Sequence, residues 1–174
     1  MRLFVAVRPN EAVLDAVAGL ARPERPGVRW TTQPQWHVTL RFLGEVEDPA
    51  PVADALAATA LEACTAVAGP RVAVLGRSAV VVPVTGLDAL AAGVARATAT
   101  FGAPPEARAF RGHLTLARVR RGSARELAGE ALEVRFPVED VRLVRSHLGP
   151  GGARYDDLAV RRLDRPAPGA GQDA

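Results

Sequence analysis

The sequence predicts a largely antiparallel α+β fold, and three observations carry that expectation. Short segments with strand alternation recur along the chain, among them Arg2 to Val7, His37 to Leu43 and His113 to Val119. Several neighbouring strand segments are separated only by tight turns, which favours hairpins over the long crossovers of a parallel sheet. Four helical patterns are interspersed, and a length of 174 residues suits one domain, or two small lobes sharing a core.

Arg2 to Val7 opens the chain as a strand. Asn10 to Leu20 follows as a helix, with Asn10 as its cap and Val13, Leu14, Val17 and Leu20 on one face. Trp30 lies in a loop or short strand, and His37 to Leu43 is a strand that Gly44 ends. Asp48, Pro49 and Pro51 open a second helix, predicted to run to about Val67. Arg71 to Leu75 and Ser78 to Val84 form a hairpin about Gly76. Thr85 is placed to cap a third helix through about Phe101, with Leu87, Leu90, Val94 and Phe101 facing inward. His113 to Val119 is a strand, and Ser123 with Glu126 forms a capping-box pattern for a short helix. Leu132 to Val138, Val141 to Leu148 and Tyr155 to Leu163 are strands, the last two joined by a turn at Gly149 to Gly152. The folded region is expected to span 1–164, and the Pro- and Gly-rich residues 165–174 to form a disordered tail.

Composition excludes several classes. A single cysteine, Cys64, builds neither a disulfide framework nor a thiolate zinc site within one chain, and it suits a reducing cytoplasm. The apolar run Leu3 to Val7 is too short for a secretory or membrane segment, and no other stretch approaches the length of a span, so a soluble protein is expected. Every one of the 22 basic residues is arginine, against 19 acidic residues, for a net charge of +3. Arginine suits bidentate phosphate contacts. The accompanying wealth of Ala, Gly and Pro, however, makes codon usage a sufficient explanation of its abundance.

The most informative feature is a short internal repeat. Trp36-His37-Val38-Thr39-Leu40-Arg41-Phe42 matches Gly112-His113-Leu114-Thr115-Leu116-Ala117-Arg118. Side chains alternate across a strand, so each copy turns His and Thr to one face and its apolar residues to the other. Each His and its Thr then stand roughly 6–7 Å apart. Two such strands side by side would surround a small anion with two imidazoles and two hydroxyls. Near neutral pH one imidazole can accept a proton while another donates one, and threonine hydroxyls can hold non-bridging phosphate oxygens. That chemistry is phosphodiester hydrolysis without a metal. A lone strand histidine is usually structural, but two of the 3 histidines here fall in matching His-apolar-Thr-Leu strands. His147, without a Thr partner, is read as structural or surface.

These strands resemble the signature of the 2H phosphoesterase superfamily, and within it the RNA 2′,3′-cyclic phosphodiesterase family, also called 2′-5′ RNA ligase. Arg2 to Val7, Trp30 with His37 to Val46, Arg108 to Arg118, and Ser146, Leu148, Gly152 and Tyr155 carry the likeness. The resemblance implies a bilobal α+β structure, with two mainly antiparallel sheets, outer helices, and a cleft holding one motif from each lobe. It implies His37 as proton donor, His113 as proton acceptor, and Thr39 and Thr115 as phosphate ligands. Arg118 matches an arginine that follows the second motif, but its parity sets it opposite His113 unless a bulge intervenes. Arg41 shares the parity of His37 and is the second candidate for a phosphate contact. The implied substrate is RNA ending in a 2′,3′-cyclic phosphate, opened to a 2′-phosphomonoester; no carboxylate lies within either motif strand to hold a metal, so a monomer with no cofactor and no metal is expected.

The sequence departs from the family pattern in places. Gly112 stands where proline is usual, and glycine loosens the approach to the second strand. Ala109 also replaces a common proline. Trp36 replaces a smaller residue; burial is its expected role, with base stacking as the alternative. Competing functions are hydrolysis of a small cyclic nucleotide or ADP-ribose cyclic phosphate, a non-catalytic RNA-binding module, and a metal hydrolase. The intact motifs speak against the second. The absence of a third ligand at metal spacing speaks against the last.

Overall fold

The computed structural model describes residues 1–120, 124–149 and 152–165. In chain order the elements are β1 (Arg2–Val7), α1 (Glu11–Ala18), β2 (Val28–Trp30), β3 (Val38–Glu45), α2 (Ala50–Ala58), β4 (Cys64–Ala68), β5 (Ala73–Leu75), β6 (Ala79–Thr85), α3 (Asp88–Ala97), β7 (His113–Val119), β8 (Val134–Val138), β9 (Asp140–Gly149) and β10 (Gly152–Arg162). Short 3-10 turns lie at Gln33–Gln35 and Ala124–Leu127.

The strands form a continuous path in the order β10-β9-β1-β3-β7-β6-β4-β8, with β2 also on β7 and β5 also on β6. Every ladder between these strands is antiparallel. The two sheets expected from the sequence are therefore two halves of one path. The seam between them is thin: β3 meets β7 at the single pair Val38↔Leu114. Val38 and Leu114 are each 1% exposed and belong to the main core. Beneath them lie Val13 and Val17 of α1, Val52 and Leu56 of α2, and Leu90 and Val94 of α3. Burial of each such side chain contributes roughly 1.5–3 kcal/mol. The helices thus cover one face of the motif strands and leave the other open.

Asn10 caps α1 as expected, its Oδ1 accepting from the Val13 amide at 3.1 Å. Three expectations need correction. The second helix ends at Ala58, and the region predicted to continue it holds β4 instead, a strand paired on both sides by β6 and β8. The third helix ends at Ala97, where Thr98 Oγ1 donates to the Val94 carbonyl at 2.7 Å. Thr85 ends β6 and does not cap that helix, whose N-cap is Leu87. Ser123 of the capping-box pattern, the centre of the Gly149 to Gly152 turn and residues 166–174 lie outside the described residues. Among the described residues no helix is long and apolar enough to cross a membrane.

Candidate active site

The seam pair Val38↔Leu114 decides the site geometry. Extending the antiparallel register by one residue in each direction sets His37 beside Thr115 and Thr39 beside His113. All four side chains are half-buried, while their apolar neighbours are in the core. The structure therefore brings the two His-Thr pairs together.

Both imidazoles are held in the same way. His37 Nδ1 lies 2.7 Å from the Gln35 carbonyl, and His113 Nδ1 lies 2.8 Å from the Arg111 carbonyl. A carbonyl accepts only, so each ring donates from Nδ1 and leaves Nε2 to exchange protons. Gln35 is itself fixed: its Nε2 donates to the Ala153 carbonyl at 2.7 Å, and its Oε1 accepts from the Thr32 amide at 3.0 Å.

The surroundings of the two rings differ. His37 packs against Phe4 of β1 and Tyr155 of β10, with ring centroids 4.8 and 4.9 Å away. Phe4, Ala6 and Val144 form a small buried cluster on this open face, with Tyr155 against it. Burial lowers the His37 pKa from 6.5 to about 4; the Gln35 hydrogen bond and Asp157 oppose the fall, while Arg8 and His113 add to it. Without an anion beside it, His37 is neutral at pH 7. Asp157 accepts from Arg8 Nη2 and from Arg142 Nη1, each at 2.7 Å. Burial would raise the Asp157 pKa, but these hydrogen bonds hold it below the usual carboxylate value. Burial pushes the Tyr155 hydroxyl up, opposed by the charges of Arg118, Arg29, Arg8 and Arg2.

His113 opens instead onto a groove of about 330 Å³. Val81 and Pro83 stand opposite Thr115 and His113 on β6, and Ala73 stands opposite Val81 on β5, so they share the face of His113 and Thr115. Phe110, Arg111, Thr85 and Asp88 complete the groove. Gly112 is required by close packing: an added Cβ would lie 2.3 Å from the Val84 carbonyl oxygen. The Gly112 carbonyl also accepts from the Val84 amide at 2.9 Å. The glycine thus presses the start of β7 onto β6, a tighter role than the loosening expected from the sequence.

The two arginine candidates part company, and bulges are the cause. On β7, Ala117 pairs with Val80 and Thr115 with Val81, so Leu116 is the extra residue. Parity reverses beyond it: Ala117 and Val119 are buried, and Arg118 is exposed on the face of His113 and Thr115. On β3, Arg41 pairs with Val5 and Thr39 with Ala6, so Leu40 is the extra residue. Arg41 is consequently 5% exposed on the core side, where Nη2 donates to the Phe101 and Ala103 carbonyls at 3.2 and 2.8 Å. Arg41 is thus removed from the expected phosphate contacts. Trp36 is buried, 3% exposed, and its Nε1 donates to Thr31 Oγ1 at 3.0 Å, so it does not line the cleft. His147 pairs with Asp156 across the β9–β10 hairpin at 2.7 Å.

Phe4 and Arg29 had no role among the residues expected from the sequence, and Tyr155 entered only as part of a resemblance. The apolar residues on both faces of β1 were the available signal for Phe4. Among the described residues, no group of three or more His, Cys, Asp or Glu is arranged to hold a metal.

An antiparallel α+β fold that presents two Nδ1-anchored histidines and two threonines across a cleft defines a two-histidine phosphoesterase. Comparison with known proteins agrees: the family model of LigT-like phosphoesterases matches residues 5–74 and 81–155. The chain belongs to that family, within the 2H phosphoesterase superfamily, and its class of reaction is phosphodiester hydrolysis. It is similar to the solved structure of TT0787 from Thermus thermophilus, with 27% identity and a TM-score of 0.74 over 94% of this chain and 98% of the other. E. coli LigT complexed with 3′-AMP shares the fold at 24% identity and a TM-score of 0.70, over 93% and 97% of the two chains. E. coli LigT complexed with NADP+ does so at 22% and 0.71, with the same coverage. No curated protein sequence matches the chain significantly.

Proposed function

We propose that the protein hydrolyses 2′,3′-cyclic phosphodiester ends of RNA to a 2′-phosphomonoester, by metal-independent acid-base catalysis. The observation that carries this reading is the pair of identically anchored imidazoles, with a threonine beside each, at one seam. The cyclic phosphate lies between the rings and receives hydrogen bonds from Thr39, Thr115 and Arg118. His113 Nε2 takes a proton from water as the water oxygen bonds to phosphorus. The bond from phosphorus to O3′ breaks, and His37 Nε2 gives that oxygen its proton. A second proton exchange with solvent resets both rings.

The donor role needs a charged His37, and burial opposes it. The substrate supplies the correction, because a phosphate anion beside the ring favours imidazolium. Binding thereby switches the acid on, and the buried ring does not hold a proton until the anion arrives. The groove beyond His113 takes the base, with Phe110 along its wall. The solved E. coli LigT complexes with 3′-AMP and NADP+ are consistent with a nucleotide ligand.

The test is incubation with a short RNA ending in 2′,3′-cyclic phosphate, followed by phosphorus NMR of the product. A 2′-phosphomonoester is expected. A dominant 3′-phosphate would overturn the assigned orientation, and an untouched end group would overturn the reading as a whole.

A further inference from the structure

Arg29 is the neighbour of Arg118 across the β2–β7 ladder, where the two are Cα partners. On β2, Val28 and Trp30 are half-buried and Arg29 is exposed, so its side chain stands on the same open face as Arg118. Like charges directly opposite one another destabilise a sheet. Arg8, Arg25, Arg108, Arg142, Arg154 and Arg161 each have a carboxylate partner. Neither Arg29 nor Arg118 has one among the described residues.

The position of Arg29 is also specific. Its guanidinium lies against Gly152 at the start of β10, where an added Cβ would come within 2.7 Å of Nη1 and 3.0 Å of Cζ. Gly152 has φ +109°, so the backbone there doubly favours glycine. Three residues on, Tyr155 stands edge-on to His37. Arg118 lies three residues beyond Thr115, roughly 10 Å along the strand at most, and Arg29 lies one strand further out. Arg118 can turn toward the phosphate between the histidines. Arg29, seated on Gly152, offers a second cation one strand further from that phosphate.

We propose that Arg29, beside the Arg118 that meets the cyclic phosphate, binds a second phosphate of the substrate, the internucleotide phosphate next to the cyclic end. This rests on the RNA-end reading above and makes the enzyme prefer oligonucleotide ends over single nucleotides. A phosphate on each of the two neighbouring forks relieves their mutual repulsion and supplies charge-assisted hydrogen bonds.

The test compares a nucleoside 2′,3′-cyclic monophosphate with a dinucleotide ending in 2′,3′-cyclic phosphate, for wild type and Arg29→Gln. Arg29 is exposed, so the variant should fold, and an unchanged thermal midpoint checks this. The expected result is a loss in kcat/KM of about 10- to 100-fold on the dinucleotide, the scale of charge-assisted hydrogen bonds, with the mononucleotide rate nearly unchanged. Gly152→Ala, which displaces the same guanidinium, should give the same selective loss. Equal loss on both substrates, or no loss on either, overturns the second-phosphate site. A wild type that cleaves neither substrate overturns the RNA-end reading and this site with it.

Discussion

Acidification should destabilise the fold through His37 in a defined window. An unfolded chain protonates this imidazole near 6.5, whereas the folded chain resists until about 4. Between those values the unfolded state binds the extra proton, so stability falls as pH falls. At about 1.36 kcal/mol per pKa unit, the gap between the two values corresponds to on the order of 3 kcal/mol. This contribution is fully present above about 6.5 and fully lost below about 4. Urea unfolding of wild type and His37→Asn, at matched steps across this range, isolates the effect, because the other titrating groups cancel in the difference. The two stability curves should converge as pH drops, the wild type losing more. Asp157, whose pKa is depressed, acts in a lower window, below the ordinary carboxylate value of 3.8. Parallel curves between about pH 6.5 and 4 would refute the argument that Phe4 and Tyr155 keep the His37 ring neutral.

Three further outcomes follow from the site. His37→Ala and His113→Ala should each lower turnover by about 10²–10⁴-fold, with the double variant little worse than the poorer single one; a well-folded single variant of near-normal activity would remove that ring from the mechanism. Inorganic phosphate should raise the His37 pKa, read from the ring resonances by NMR titration, and chelator should leave the rate unchanged; activity lost in EDTA and restored by Mg²⁺ or Zn²⁺ would favour metal hydrolysis. Gly112→Ala should cost about 1–3 kcal/mol of stability in denaturant unfolding, and lower kcat as His113 shifts; a wild-type midpoint would show that Val84 yields freely to the new methyl.

Much of this was legible in the sequence, for a physical reason. The period of two that sends Val38 and Leu114 inward also sends the histidines and threonines outward, so the repeat disclosed both strands and their chemical face. What escaped was long-range. Nothing in the alanine-rich stretch after Pro51 marks the end of α2. Arg161 marks it, donating to the Leu56 and Thr59 carbonyls at 3.3 and 3.2 Å from more than a hundred positions away. Alanine favours helix on local propensity alone, so pairing with β6 and β8 overrides it and makes Cys64–Ala68 extended. The fates of the two arginines were hidden by single extra residues, Leu116 and Leu40, which strict alternation does not reveal. One bulge delivers Arg118 to the cleft, and the other withdraws Arg41 from it.

The single backbone pair at the seam has a consequence for direction. Two antiparallel strands are related by a local dyad, and here that axis passes between Val38 and Leu114. Each motif places its histidine one residue before the axis and its threonine one residue after, and each ring is anchored to the carbonyl two residues upstream. The motifs by themselves therefore cannot tell donor from acceptor. What makes the two rings unlike is their walls: an aromatic clamp on one ring, an open groove beside the other. The difference between the two rings is thus written in Phe4 and Tyr155 rather than in the repeat.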